Sequence, residues 1–257
     1  MATILFDSII YGPIKSRRLG MSLGINLLPT NQKLCSFECI YCECGFTKLV
    51  KGAHMPKRED VRKELEEKLQ QMKAQGLNLD VMTFAGNGEP TLHPDFAGVI
   101  EDTISLRNQY YPAAKVSVLS NATMIGKESV FNALLKVDNN ILKIDAGVEE
   151  TAKLLDQPCS PSYSVEKQVE LLKRFKGNFT LQTIFLRGVV NGKVVDNTTP
   201  EEIAAWVEVV KQIRPKDVMV YQVDRETPVP GLEKLSNEEL SRLAEPVRQL
   251  GINVIVS

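Results

Sequence analysis

The chain has 257 residues, is 43% hydrophobic, and carries 31 Lys and Arg against 32 Asp and Glu for a formal charge of −1. That length and apolar content suffice for one large core, and the balanced charge gives no global positive field to draw in nucleic acid, although Lys15-Ser16-Arg17-Arg18 marks a local basic patch. No apolar run approaches the ~20 residues of a membrane span, and the opening MATILFDSII lacks the basic start and small-residue cleavage site of a secretory signal, so one cytoplasmic domain over 1–257 is expected.

Taken in order, short β-rich runs alternate with segments of helical spacing. The first strand is expected at SLGINLL (22–28), followed by a cysteine-rich loop at 33–46. Val61, Leu65, Leu69 and Met72 then mark one face of a helix. A second strand, DVMTFA (80–85), leads through GNGEPTLHP into a helix striped by Phe96, Ile100 and Ile104. KVSVLS (115–120) is the third strand, with Asn121-Ala122-Thr123 at its end, and ILKIDA (141–146) the fourth. Val165, Val169 and Leu172 stripe the next helix, FTLQTIFL (179–186) is the fifth strand, and RGVVNG is the loop that leaves it. Thr199-Pro200-Glu201-Glu202 and Ser236-Asn237-Glu238-Glu239 are capping boxes that open two more helices, the first with proline at its first helical position. They flank DVMVYQV (217–223), and INVIVS (252–257) closes the chain. Strict β/α alternation implies a parallel sheet with right-handed crossovers, either closed or partly closed into a barrel or open and doubly wound.

In such folds the chemistry sits in the loops after the carboxyl ends of the strands. The unusual residues of this chain fall in those loops. Cys35, Cys39, Cys42 and Cys44 lie within ten positions, with three, two and one residues between them. A structural zinc site joins two separated ligand pairs, which one short loop does not supply. A thioredoxin-like pair of Cys39 and Cys42 leaves Cys35 without a role. An iron-sulfur cluster held by three cysteines, with one iron open to a substrate, accounts for the spacing. In a reducing compartment, five cysteines in all also point away from disulfides.

The Cys-x3-Cys-x2-Cys pattern of Cys35, Cys39 and Cys42, with Tyr41 before the last, resembles the signature of the radical SAM superfamily. The likeness extends along the chain. Gly86-Asn87-Gly88-Glu89-Pro90 resembles the glycine-glutamate motif that binds the methionine amino group, and Leu119 to Thr123 resembles the segment that meets the methionine or ribose. Residues 11–29 and 221–231 resemble a branch of uncharacterised iron-sulfur oxidoreductases related to wyosine-type tRNA enzymes. The resemblance implies a partial (β/α)6 TIM-like barrel. It also implies a 4Fe-4S cluster on Cys35, Cys39 and Cys42, S-adenosylmethionine as cofactor, a 5′-deoxyadenosyl radical that abstracts hydrogen, and a one-electron donor such as flavodoxin or ferredoxin.

The residues themselves agree with that implication. Gly86 and Gly88 permit close backbone approach to a ligand, and Glu89 supplies a carboxylate for an ammonium group, against a plain turn and helix entry as the alternative. Ser120 and Asn121 are expected beside the cofactor, with a turn residue or helix cap as the alternative for Asn121, and Tyr41 is expected to pack beside the adenine, with a surface aromatic as its alternative. Period-two alternation puts Lys143 and Asp145 on one face of their strand, as an ion pair or as cofactor contacts. Gln182 reaches the ligand or caps a core network, and Asp224 and Arg225 pair with each other or bind an anionic substrate group. His93, between Thr91 and Pro94, is expected as a loop residue and not a ligand.

Cys159, bracketed by Pro158 and Pro161, is loop-borne, and a position near the substrate is set against a small buried thiol. Wyosine-forming enzymes carry a second cluster, for which Cys44 and Cys159 alone are too few. The substrate class stays open between small molecule, protein and RNA. A glycyl-radical-type activase and a noncatalytic iron-sulfur or zinc module are the alternatives.

Overall fold

The computed structural model describes residues 4–16 and 19–257, so Arg17 and Arg18 of the expected basic patch lie outside the described residues. Eight strands form one sheet in the order β1 (Ile10–Ser16), β2 (Gly20–Ile25), β3 (Val81–Phe84), β4 (Lys115–Ser120), β5 (Asn139–Lys143), β6 (Thr180–Ile184), β9 (Asp217–Tyr221) and β10 (Asn253–Val256). β1 pairs antiparallel with β2, and every later pairing is parallel. From β2 onward, spatial order follows chain order without the reversal that a doubly wound sheet requires, so the crossovers all run the same way round, as in a partial TIM barrel.

The helices lie where the apolar spacing puts them. α1 (Arg58–Ala74) buries Val61, Leu65, Leu69 and Met72 to 1% exposure or less, each side chain worth about 1.5–3 kcal/mol. α2 (Phe96–Tyr110) and α5 (Val165–Lys173) bury the expected stripes except for Ile104, which is half-buried. Both N-caps hold, though not as reciprocal boxes: Thr199 Oγ1 accepts from Glu202 N at the start of α6 (Pro200–Ile213) and Ser236 Oγ from Glu239 N at the start of α7 (Asn237–Leu243), while the two glutamate side chains bond Thr151 and Arg187. The remaining helices, α3 (Glu128–Leu134), α4 (Glu149–Asp156) and α8 (Glu245–Arg248), are short.

Two features depart from the sequence reading. Residues 10–16 form a strand although they contain Gly12 and Pro13, which an edge strand tolerates because its outer N–H groups need no partner. The expected loop RGVVNG is the first half of a hairpin, β7 (Arg187–Val190) and β8 (Lys193–Asp196), turned by Asn191 and Gly192 at φ of 52° and 77°. Asn-Gly with both residues left-handed is the turn that matches strand twist.

Candidate functional site

The cluster loop follows β2 and owes its shape to hydrogen bonds from the ends of other elements. Leu34 N donates to Asn87 O at 2.8 Å, and Glu89 N donates to Leu34 O at 3.1 Å, which pins the loop to the segment after β3. Here glycine is required. A Cβ on Gly88, whose φ is +134°, would lie 2.0 Å from Leu34 O. The loop is also tied to the end of α4, where Glu38 N donates to Asp156 O at 3.0 Å and Ile40 N to Leu155 O at 2.9 Å. A third tether comes from the segment after β4, where Asn121 Nδ2 donates to Ser36 Oγ at 2.9 Å and lies 3.6 Å from Cys35 Sγ.

All five thiols are free. Cys39 is buried, and burial pushes its thiol well above the ordinary range, against the nearby Lys143 ammonium. Burial, with Glu89 next, pushes the Cys35 thiol up to about 12. Cys42 is pulled toward thiolate, first by the hydrogen bond from the Cys44 thiol and then by the Lys33 ammonium, against burial. Gly86 O, 3.4 Å from Cys44 Sγ, is the alternative acceptor for that thiol. Among the described residues no three Cys, His, Asp or Glu side chains converge on a single metal ion. A tetranuclear cluster does not need that convergence, because its thiolates bind separate irons. Three free thiols on a tethered loop, with the ammonium groups of Lys33 and Lys143 beside them, suit such an anionic cluster.

Lys143 and Asp145 form the ion pair that was one of their two expected readings, and they meet Tyr41 and a further partner that sequence reasoning missed. Lys143 Nζ lies 3.0 Å from Asp145 Oδ2, 2.7 Å from Tyr41 Oη and 3.2 Å from Cys39 Sγ, and it also ion-pairs with Asp156, the last residue of α4. Tyr41 Oη donates to Asp145. Burial lifts the Asp156 carboxyl above its usual range although Lys143 pulls the other way, and burial holds the Tyr41 hydroxyl protonated. Nothing in the local sequence LLDQPC marks Asp156 as a partner of residues at 41 and 143.

Glu89 is the hub between the loops after β3 and β4. It is 2% exposed; Oε1 accepts from Thr91 N at 3.0 Å, from Thr91 Oγ1 and from Ser120 Oγ at 2.9 Å, while Oε2 accepts from Asn121 N at 2.6 Å. It thereby caps the 3₁₀ turn Pro90–Leu92. The Asn87 amide is equally committed, to Phe6 N, Phe6 O and Pro29 O. Toward open space this segment presents backbone: Ala85, Gly86 and Gly88 line a cavity of about 300 Å³ at the strand ends, together with Tyr41, Gln182 and Gln222. A larger groove of about 640 Å³, lined by Arg58, His93 and Asp102, lies at the start of α1 and contains none of the cysteines. His93 is a loop staple as expected, its ring nitrogens bonded to Pro56 O and Asp95 N.

Arg225 and Asp224 both line the cavity mouth, but Arg225 ion-pairs with Glu43 of the cluster loop at 2.9 Å and Asp224 with Lys234 at 3.1 Å. Cys159 is exposed and is absent from the cavity lining. It packs on the cluster loop, where its N donates to Ser36 O at 2.9 Å and its Sγ lies 3.9 Å from Cys35 O. Lys33 and Glu38, an ion pair at 3.2 Å within the loop, are further residues that sequence reasoning missed; a lysine two places before the first cysteine is the available signal.

A parallel barrel sheet with a Cys-x3-Cys-x2-Cys loop and a Gly-x-Gly-Glu turn at its carboxyl end describes an enzyme that binds a 4Fe-4S cluster and S-adenosylmethionine. The family model described as "Radical SAM superfamily" matches residues 32–192, and the chain belongs to that superfamily.

Among curated proteins, a "GTPase Obg" of Brachyspira hyodysenteriae is 31% identical over 91% of this chain and 32% of its own length. The "UPF0026 protein MJ1312" of Methanocaldococcus jannaschii is 29% identical over 81% of this chain and 61% of its own. The chain thus spans about a third and about three fifths of these two relatives.

Among solved structures, a radical SAM methyltransferase from Sphaerobacter thermophilus aligns with a TM-score of 0.67 at 12% identity over 92% of this chain and 65% of that one. Streptococcus suis SuiB bound to S-adenosylmethionine gives 0.62 at 18% over 91% and 50%. TYW1 with a lysine-pyruvate adduct bound gives 0.61 at 15% over 89% and 73%. At these identities the likeness is one of fold. No helix among the described residues is long and apolar enough to cross a membrane.

Proposed function

We propose that this chain reductively cleaves S-adenosylmethionine and abstracts hydrogen from a substrate held over the strand ends, with the electron delivered by a flavodoxin or ferredoxin. The observation that carries this reading is the junction of Leu34 with Asn87 and Glu89, which brings the cysteine loop and the glycine turn to one edge of a cavity. When bound, the cluster and S-adenosylmethionine supply one-electron cleavage of the sulfonium and a 5′-deoxyadenosyl radical.

The chain's own residues bind, orient and exclude water. Cys35, Cys39 and Cys42 are assigned to the cluster. Tyr41, Gly86, Gly88 and Gln182, which line the cavity, are assigned to direct cofactor contact. Asn87, Glu89, Ser120, Asn121, Lys143 and Asp145 are assigned to holding those contacts in place, because their polar atoms already serve protein partners. For Glu89, whose two oxygens accept from Thr91, Ser120 and Asn121, the reading is support of the glycine turn that lines the cavity. Cys159 is assigned to the rim of the cluster loop, within reach of a large substrate.

The test is anaerobic reconstitution, analysis for iron and sulfide, and chromatographic assay of 5′-deoxyadenosine after addition of dithionite and S-adenosylmethionine. Equal iron and sulfide with 5′-deoxyadenosine formed supports the reading. A complete cluster with no 5′-deoxyadenosine overturns the enzymatic part and favours a binding module.

A further inference from the structure

Lys33 is a buried lysine of the cluster loop. Its side chain is 1% exposed, deeper than that of any other lysine in the ion pairs of this structure. An ammonium group has three N–H donors, and burying one without acceptors is costly. Among the described residues its acceptor is a single carboxylate, Glu38, with Oε2 at 3.2 Å. That carboxylate is shared: Glu38 also accepts from Thr47 N at 2.9 Å and from Thr47 Oγ1. It is 22% exposed, so water screens it, whereas Lys33 has no such contact. The ammonium is therefore incompletely compensated, and it belongs to the cluster loop, two residues before the first cysteine.

The second buried ammonium near the thiols is differently placed. Lys143 touches Cys39 directly, but two buried carboxyl groups, Asp145 and Asp156, are bonded to it. That group as a whole adds no net positive charge. The thiols thus have a compensated cation at Cys39 and an under-compensated one at Lys33, whose charge interacts with Cys42, Cys35 and Cys39. A cluster of charge 2+ on three thiolates carries −1 overall and −2 after gaining one electron. A fixed positive charge nearby favours the form with the extra electron, and the preference grows as water is excluded from between the two.

Resting on the radical SAM reading of this site, we propose that Lys33 is a potential-setting residue, whose buried ammonium raises the midpoint potential of the cluster on Cys35, Cys39 and Cys42 and so eases its reduction by a one-electron carrier. One electron enters from the donor and no bond is made or broken at Lys33. Its effect is electrostatic, and an Arg in its place keeps it.

The experiment is an EPR-monitored redox titration of the reconstituted full chain. Lys33→Met is expected to move the midpoint to more negative potential by at least tenfold in the reduction equilibrium, 59 mV for one electron, and Lys33→Arg to recover most of that shift. Glu38→Gln, which removes the compensating charge and keeps the lysine, is expected to move it the other way. The opposed signs separate charge from loosening of the loop, which would not reverse between the two variants. An unchanged midpoint in Lys33→Met, or shifts of the same sign in Lys33→Met and Glu38→Gln, overturns the proposal. Should Lys33→Met fail to hold iron, the Glu38→Gln shift alone decides. If the wild-type chain assembles no 4Fe-4S cluster, the functional reading fails; if it does and the midpoints do not move, this inference alone fails.

Discussion

Replacing Gly88 with Ala tests whether the cluster loop depends on its junction with β3. The added Cβ would lie 2.0 Å from Leu34 O and 2.6 Å from Leu34 C, both backbone atoms that no side-chain rotation can clear. Leu34 must move, and with it go the bonds Leu34 N to Asn87 O and Glu89 N to Leu34 O. Two net backbone hydrogen bonds and the strain of an Ala at φ +134° together cost about 2–6 kcal/mol, a large part of a typical domain's stability. Gly76→Ala is the control. Its φ of +66° is also unfavourable to Ala, but no heavy atom lies within 4 Å, so only the conformational cost of about 1–2 kcal/mol applies. Urea unfolding of both variants, with iron content after anaerobic reconstitution, reads the difference. The expected result is a larger loss of stability in Gly88→Ala, with iron uptake reduced there and retained in Gly76→Ala. Equal stability in the two variants and full iron in Gly88→Ala would refute the dependence.

Replacing Cys35, Cys39 or Cys42 with Ala is expected to abolish the reconstituted cluster and its visible absorbance, while Cys44→Ala keeps it; equal loss in all four would point to a four-cysteine site. Asp102 is held below the ordinary carboxylate range, first by its hydrogen bond from Arg58. Its contribution is therefore present above that range and lost as pH falls through it. Because both arginine partners are over 40% exposed, Asp102→Asn should cost about 1 kcal/mol or less at pH 7, with the gap to wild type closing below about pH 4. Cys159→Ala is expected to leave dithionite-driven cleavage of S-adenosylmethionine intact while product from the true substrate falls. Loss of both activities would make Cys159 part of the loop's support.

Much of the fold was legible because it rests on local patterns. The stripe from Val61 to Met72 has one helical period, and Thr199 and Ser236 cap the helices they precede. The hairpin at 187–196 is marked only by Asn191-Gly192, because its strands have four residues each and leave Val189 and Val194 exposed, so no buried alternation announces them. Side-chain partners were less legible, since they depend on distances between segments far apart in sequence. Asp224 and Arg225 are adjacent and of opposite charge, yet each pairs elsewhere, with Lys234 and Glu43. Asp156 joins Lys143 because α4 ends beside the carboxyl end of β5, a fact of topology that no spacing encodes.

That difference bears on how the cysteine loop is built. From Pro29 to Pro56 the chain has no helix and only isolated bridges, so its backbone polar groups must be satisfied by neighbours. Besides Ile4, His93 and side chains of the stretch itself, the partners come from the segment after β3 through Asn87 and Glu89, the segment after β4 through Asn121, and the end of α4 with the loop beyond it through Leu155, Asp156 and Cys159. Each of these three segments is the chain just past an element of the parallel barrel, and the barrel fixes where those elements end. The cysteine spacing specifies which ligands are available, but their arrangement is imposed by the ends of β3, β4 and α4. Substitutions that loosen those ends, far from Cys35–Cys42 in sequence, should therefore lower iron retention before they lower secondary structure. A circular-dichroism melt that preceded or coincided with iron release in such variants would count against this view.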